Sequence, residues 1–299
     1  MQSSDSFIFL TGSTGFVGKS SLLTFSKEKT IKWNRGNEIK IDSAIAVIHL
    51  AGKAHDLKKS SNPDEYYQVN TELTKKVFDA FLSSEAKVFI TLSSVKAVAD
   101  VVHGELTEET VPNPITDYGK SKLLAEQYIF SKEIPEGKRV YILRPCMIHG
   151  PGNKGNLNLL YKLVSKGIPW LLGAFENQRS FCSVDNLMFI FEELIEREDI
   201  PSGIYNVADD VPLSTNELIG LIAQSQNRKS KVWKISSSLI EKIARIGDKF
   251  LLPLNSERLQ KLTSSYVVSN AKIKAAIGKP LPVSSRDGLM KTFKSFQKN

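Results

Sequence analysis

Apolar positions along the chain fall into two periods. Short unbroken apolar runs at Phe7–Leu10, Ala46–Leu50, Val88–Leu92 and Val140–Leu143 have the length and the branched-residue content of strands buried on both faces. Between them, Ser20–Ser26, Val69–Leu82 and Ser121–Phe130 carry patterns that predict helices. Thr30–Trp33 and Ile204–Val207 read as two further short strands. Strands alternating with helices predict a doubly wound parallel α/β sheet with right-handed crossovers.

The pattern changes after Pro151, where Gly- and Asn-rich irregular segments surround shorter helices at Leu157–Val164 and Thr215–Ala223. The expectation is a sheet domain over residues 1–150, with about 181–207 returning to it, and a smaller α/β lobe formed by 151–180 and 208–299. Within that lobe, Ser236–Leu252 places Leu239, Ile240, Ile243, Ile246 and Phe250 at helical spacing. Such a stripe ordinarily packs on a core, which is the expectation here; the other reading is a docking face for a membrane or a partner. There is no internal repeat and no low-complexity tract.

Composition narrows the class. A chain of 299 residues with 41% hydrophobic content is long enough to bury one large core or two joined ones. The net charge of +8 comes from scattered lysines rather than basic runs interleaved with aromatics, so it indicates no nucleic-acid partner and suits an anionic substrate. Lys27, Lys29 and Lys32, the densest early cluster, read as solvated surface. Two cysteines, Cys146 and Cys182, the lack of an apolar run of about 20 residues, and a start without a basic leader predict a cytoplasmic chain with no membrane span. No metal site is expected.

Chemistry gathers at three places. In Thr11-Gly12-Ser-Thr-Gly15-Phe-Val-Gly18, Gly12 permits a tight turn, Gly15 lets backbone approach a pyrophosphate, and Gly18 lets helix pack on strand. Thr14, Phe16 and Val17 share that turn, whose helix N-terminus faces the phosphates. Tyr118 and Lys122, four residues apart on one helix, face the same way. A tyrosine of ordinary pKa about 10 needs a cation to act as a base near neutrality, and Lys122 supplies one. Ser94 ends a strand and is placed to hydrogen-bond the same substrate oxygen. Singly these are a turn, a surface tyrosine, a solvated lysine and a capping serine; their order and combination point to catalysis.

The glycine turn, Ser93-Ser94 and Tyr118-Gly-Lys-Ser-Lys122 together resemble the extended branch of the short-chain dehydrogenase/reductase superfamily, the NAD-dependent epimerase/dehydratase family. The resemblance runs along almost the whole chain. Ser-Ser-Val-Lys96 and Gly152-Asn-Lys-Gly155-Asn156 are similar in particular to bacterial UDP-glucose and UDP-N-acetylglucosamine 4-epimerases and to 4-keto reductases that serve surface polysaccharides. It implies a Rossmann fold, NAD or NADP as cofactor, and a nucleotide-diphospho-sugar substrate. Ser94, Tyr118 and Lys122 would be catalytic, with the last two also touching the cofactor. Leu50, Ala51 and Gly52 would lie along the dinucleotide, and Asn70 would brace the site, although an asparagine opening a helix is ordinarily a cap. Lys96, Asn156 and Arg179 would meet the substrate, whose diphosphate suits an arginine fork. Arg258 is either a second phosphate clamp or a surface arginine. Family members are often homodimers.

The chain also departs from its relatives. Gly18 and His49 stand 31 positions apart, where the family usually inserts a further helix and strand, so the adenine side is shortened. No acidic residue follows at the distance that selects NAD; Arg35 stands there instead, either accepting the 2′-phosphate of NADP or facing solvent. Asp42 is a weak stand-in. The family's 4,6-dehydratases place an acidic pair after the catalytic hydroxyl, where this chain has Val95-Lys96. That leaves a 4-epimerase, which keeps its NAD through the cycle, slightly ahead of an NADPH-dependent 4-keto reductase, which exchanges it. A non-catalytic NADP-binding sensor or scaffold is the reading from another class, but such proteins typically lose the tyrosine or the lysine.

Overall fold

The computed structural model describes residues 7–25, 30–33, 36, 38–54, 62–153, 155–250 and 255–298. The apolar runs become β1 (Phe7–Thr11), β3 (Ala44–His49), β4 (Val88–Leu92) and β6 (Arg139–Pro145), joined by β2 (Thr30–Trp33) and β9 (Gly203–Val207) in one six-stranded sheet. Its order is β2-β1-β3-β4-β6-β9, and every pair is parallel. Both faces are covered, and alternate residues serve alternate sides, as the pleat requires. Ile8, Leu10, Ile48 and Ile90 face α6 (Val184–Glu196), meeting its Leu187, Phe191 and Leu194. Phe9, Val47 and Phe89 face the other way, onto Val77, Phe78 and Phe81 of α3 (Leu73–Leu82) and Ile129 of α4 (Asp117–Phe130).

Between β1 and β3 the chain forms α1 (Phe16–Thr24) and the edge strand β2. The sheet therefore stops one strand short on this side, as the 31-residue spacing predicts. Chain order reverses at β1, with β2 on one flank and β3 on the other. This is the point where open α/β sheets leave a crevice at the strands' carboxyl ends.

The helix predicted over Val69–Leu82 begins earlier and is built in three pieces. A short α2 (Pro63–Tyr66), capped by Asn62 Oδ1 on Asp64 N–H at 3.2 Å, runs into a π-helical turn over Tyr67–Glu72 and then into α3. Two pairs of short strands lie outside the main sheet: β5 (Glu105–Leu106) with β10 (Val267–Val268), and β7 (Met147–His149) with β8 (Phe181–Ser183). Phe181–Ser183 thus does not join the main sheet, whereas the helix that follows it does pack there.

A second core lies among α5 (Asn156–Ser165), α7 (Thr215–Ser225), α8 (Ser237–Phe250), α9 (Ser256–Thr263) and α11 (Ser285–Ser295), with Leu157, Trp170, Ile222, Leu259 and Phe293 inside it. The remaining helix, α10 (Ala271–Ile277), sends Ile273 and Ile277 into the core of the main sheet. The expected core-facing stripe on α8 is corrected here. Of its five apolar residues only Ile240 is buried; Leu239, Ile243, Ile246 and Phe250 are exposed. Ser26, Lys27, Lys29 and Leu252 lie outside the described residues. Among the described residues no helix is long and apolar enough to cross a membrane.

Candidate active site

The glycine turn sits directly after β1, against the chain leaving β3. Gly12 has φ +71°, and a Cβ there would lie 2.6 Å from the Ala51 nitrogen and the Leu50 carbonyl carbon. A Cβ on Gly18 would overlap the Gly12 carbonyl oxygen, which is why α1 can start so close to the strand. Gly15 closes the turn, its N–H donating to Gly12 C=O at 3.1 Å, and precedes α1 without any side-chain cap. The first turn of α1 carries no acidic residue and no side-chain cap, so α1 itself leaves those N–H groups to a ligand. Thr14 and Gly15 are exposed, while Phe16 and Val17 are half-buried against the sheet core. A glycine-lined bend, held on Leu50–Ala51 and opening at a helix N-terminus, fits a dinucleotide pyrophosphate.

Below the bend, buried His49 ties the strands together. Thr74 Oγ1 donates to Asn70 C=O at 2.7 Å, so toward His49 Nε2, 2.9 Å away, it acts as acceptor. The ring nitrogen Nδ1 is then left to accept from Thr11 Oγ1 at 2.8 Å, while Thr11 Oγ1 takes the Ala51 N–H at 3.0 Å. Every proton in this chain has one place to go, which assigns a neutral Nε2–H imidazole. Burial first, and then the nearby Lys122 charge, push the His49 pKa down to about 3.

Asn70 is not a cap. It lies inside the π-helical turn, fully buried, and its Oδ1 accepts from Lys53 N–H at 2.7 Å. Its Nδ2 donates to Lys53 C=O and to Ser121 Oγ, both at 3.1 Å. Ser121 Oγ in turn donates to Tyr118 C=O at 2.8 Å, so Asn70 locks the loop after β3 to the first turn of α4.

Helix α4 starts at Thr116, whose hydroxyl accepts from Gly119 N–H at 3.2 Å. Gly119 permits a contact that a side chain would forbid, because a Cβ there would overlap the Lys96 carbonyl oxygen. α4 therefore lies directly on the 3-10 turn Val95–Ala97 that Ser94 caps, with Ser94 Oγ accepting from Lys96 N–H at 3.2 Å. The packing brings Ser94 and Tyr118 side chains into hydrogen-bond contact. The Lys122 ammonium donates to Leu92 C=O at 2.8 Å. A Cβ on Gly52 would stand 3.3 Å from Lys122 Nζ and 3.2 Å from Asn70 Oδ1, so the three meet closely.

The electrostatics differ from the sequence-based expectation. Burial pushes Tyr118 above the usual phenol range; the Ser94 bond pulls it down, and Tyr66, edge-on at 6.1 Å, adds to the rise. The Lys122 amino group is itself pulled down to about 8 by burial against the opposing charge of Glu126. Glu126 is itself fixed behind the site. Arg144 Nε and Nη2 hold it at 3.0 and 2.5 Å, and Ser93 Oγ donates to it, with both charged side chains 3% exposed. Ser93 is marked in the sequence only as the neighbour of Ser94, and Glu126 and Arg144 carry no signal there as members of the site.

A second group forms at the mouth. Lys96 Nζ lies 4.4 Å from the centre of the Tyr266 ring and donates to Asp100 C=O at 2.9 Å. Tyr266 OH donates to Ala99 C=O at 2.7 Å, holding its segment against the turn after Ser94. Burial, and then the charges of Arg179 and Lys261 opposing that of Asp100, hold Lys96 below the usual lysine range. The Arg179 guanidinium is half-buried and donates to the carbonyls of Ser264, at 3.0 Å, and Lys261. Lys96 and Arg179 are thus brought together; Tyr266 and Lys261 were not legible as their companions. Asn156 is exposed as the first residue of α5, and none of the described contacts ties it to Lys96 or Arg179. Arg258 is exposed in the first turn of α9, the helix that also carries Lys261. Arg35 lies outside the described residues, and Asp42 is exposed ahead of β3. Among the described residues no cluster fit to hold a metal occurs.

Comparison with known proteins agrees with this geometry. The chain is 28% identical to a UDP-glucose 4-epimerase of Vibrio cholerae, over 97% of this chain and 95% of that one. It is 29% identical to an N-acetyl-alpha-D-glucosaminyl-diphospho-ditrans,octacis-undecaprenol 4-epimerase of Escherichia coli O157:H7, over 74% and 73% of the two chains. Among solved structures, MoeE5 in complex with UDP-glucose and NAD superposes with a TM-score of 0.74 at 18% identity, covering 98% of this chain and 99% of that one. The sequence pattern of the NAD dependent epimerase/dehydratase family matches residues 8–208, two thirds of the chain, and with the glycine turn, the serine, and the tyrosine–lysine pair all in place, the chain belongs to that family.

Proposed function

We propose that the protein carries out NAD(P)-dependent oxidoreduction at C4 of a nucleotide-diphospho-sugar, as a UDP-hexose or UDP-N-acetylhexosamine 4-epimerase. The observation that carries this reading is the convergence of Ser94, Tyr118 and Lys122, from β4 and α4, beside a glycine bend fit for a pyrophosphate. The dinucleotide supplies and accepts the hydride when bound in the crevice. The Tyr118 hydroxyl exchanges the proton of the C4 oxygen, and Ser94 hydrogen-bonds the same oxygen. Lys122 supplies positive charge next to them, and Asn70 keeps Gly52 and α4 in register. Lys96 and Arg179 offer paired positive charge to the diphosphate, with Asn156 and Arg258 as further candidates. Residues 1–150 and about 181–207 would hold the cofactor and the remainder the sugar nucleotide; the separate second core supports this division in outline, with Phe181 crossing into that core and Val268, Ile273 and Ile277 crossing into the core of the main sheet.

An NADPH-dependent 4-keto reductase is the second reading, favoured by the sheet ending at β2 and by Arg35. Releasing and identifying the dinucleotide from purified protein separates the two: near-stoichiometric NAD marks the epimerase, and an empty site preferring NADPH marks the reductase. Tyr118→Phe tests both against a non-catalytic sensor. Turnover falling by about 10²–10⁴ with cofactor binding intact supports catalysis; unchanged turnover removes Tyr118 from the mechanism.

Cytoplasmic action in surface polysaccharide synthesis is part of this proposal. Cys146 and Cys182 support the compartment, being buried and unbonded. A homodimer is proposed as well, for which exposed Leu124 and Phe130 of α4 offer apolar surface.

A further inference from the structure

Helix α8 carries two apolar faces, and among the described residues only one is buried against a partner. Ile240, Ala244 and Gly247 are buried, with Ile240 and Ala244 packed in the second core. At about 100° per residue, Leu239, Ile243, Ile246 and Phe250 line up roughly a quarter turn away. These four are 50, 41, 52 and 70% exposed, more than single scattered surface apolars would need. Lys242, Arg245 and Lys249 form the next strip round the helix, all exposed, while Glu241 and Asp248 lie beyond them. Asp248 is engaged with α9, accepting from Ser256 N–H at 2.9 Å and Oγ at 2.5 Å.

We propose that α8 docks the protein on a bilayer surface containing anionic lipid. The apolar stripe lies at the boundary of headgroups and acyl chains, and Lys242, Arg245 and Lys249 meet the headgroup charge. An exposed stripe bordered by cations, on a helix already anchored along a third face, is the arrangement of an interfacial helix. Charge complementarity selects this occupant over a second copy of the chain. Antiparallel pairing of two copies through the same stripe would bring two sets of three cations together, and any pairing joins molecules that each carry +8. None of the residues assigned to the active site lies on α8.

The test is co-sedimentation of the full chain with vesicles of phosphatidylethanolamine containing about 30% phosphatidylglycerol, and with phosphatidylcholine vesicles. Three outcomes are expected together. Anionic vesicles bind the wild-type protein, Leu239→Ser/Ile246→Ser/Phe250→Ser loses at least about tenfold in binding, and Lys242→Gln/Arg245→Gln/Lys249→Gln weakens it in a manner matched by added salt. The altered side chains are exposed, so thermal unfolding of both variants should match wild type. No binding to anionic vesicles, or binding that the serine variant leaves unchanged, overturns the proposal. So does a wild-type dimer in sedimentation velocity that the serine variant dissociates while vesicle binding is absent, which would assign the stripe to a second copy.

Discussion

Asn70 holds Lys53 by both of its backbone groups, accepting its N–H at 2.7 Å and donating to its carbonyl at 3.1 Å. A carboxamide carries a donor and an acceptor on two separate atoms and so meets both partners at once, whereas aspartate lacks the donor and leucine lacks both. Asn70→Asp should therefore repel the Lys53 carbonyl, and Asn70→Ala should free the loop altogether. Each should cost about 1–3 kcal/mol of stability, because buried groups lose their partners. We expect turnover to drop by more than cofactor affinity in both, measured by steady-state kinetics beside dinucleotide titration.

Lys122 sits where its charge is useful and uncomfortable. Its folded pKa of about 8 lies below the unfolded value, so the unfolded chain binds more protons between about 8 and 10.5, and stability rises with pH across that window. Lys122→Met should remove this rise and stabilise the fold at neutral pH by about 1–3 kcal/mol, while reducing turnover steeply. Chemical denaturation at pH 7 and pH 10 of both proteins checks the sign.

His49 works with the same sign in a lower pH window. Its folded pKa of about 3 against an ordinary 6.5 means that the unfolded chain takes up the proton first, so stability is lost as pH falls through that range. His49→Gln should flatten the acid limb of the stability profile between about pH 6 and pH 4 while lowering stability at pH 7. An acid limb as steep in the variant as in wild type would place the effect elsewhere.

Gly119→Ala asks for space that does not exist, since the new methyl group meets the Lys96 carbonyl and Pro114. Helix α4 must then lift from the 3-10 turn, separating Ser94 from Tyr118. Turnover should fall at least about tenfold, with a stability loss of about 1–3 kcal/mol. Ala in place of Gly220, which has nothing within 4 Å of its Cβ position on α7, is the matched control: it should leave turnover unchanged and raise stability by about 0.5–1 kcal/mol, as alanine does in an open helix interior.

The central strands were readable because a sheet covered on both faces leaves continuous apolar runs, and β4 falls on Val88–Leu92 as expected. That Ser94, Tyr118 and Lys122 come together was readable because they sit at fixed offsets on one strand end and one helix. What escaped has physical causes. A π-helical turn changes backbone pairing without changing the apolar pattern, so the bracing role expected of Asn70 came from the resemblance alone, and its bonds to Lys53 and Ser121 had no local signal. Helical spacing gives an arc and not a direction, so the five apolar residues of α8 concealed that Ile240 points inward and the other four outward. The contact of Lys96 with Tyr266 joins segments some 170 residues apart that no local period connects.

Strand β2 hydrogen-bonds to one neighbour, β1, whereas each strand inside the sheet is gripped on both sides. Loss of an outermost strand thus breaks one ladder and leaves every other register intact, from β1–β3 through β6–β9. A fold of this kind can be trimmed from its rim without disturbing the machinery at its centre. Variation in length among such chains should accumulate on that flank, where it alters how long a cofactor stays and spares the groups that handle the proton.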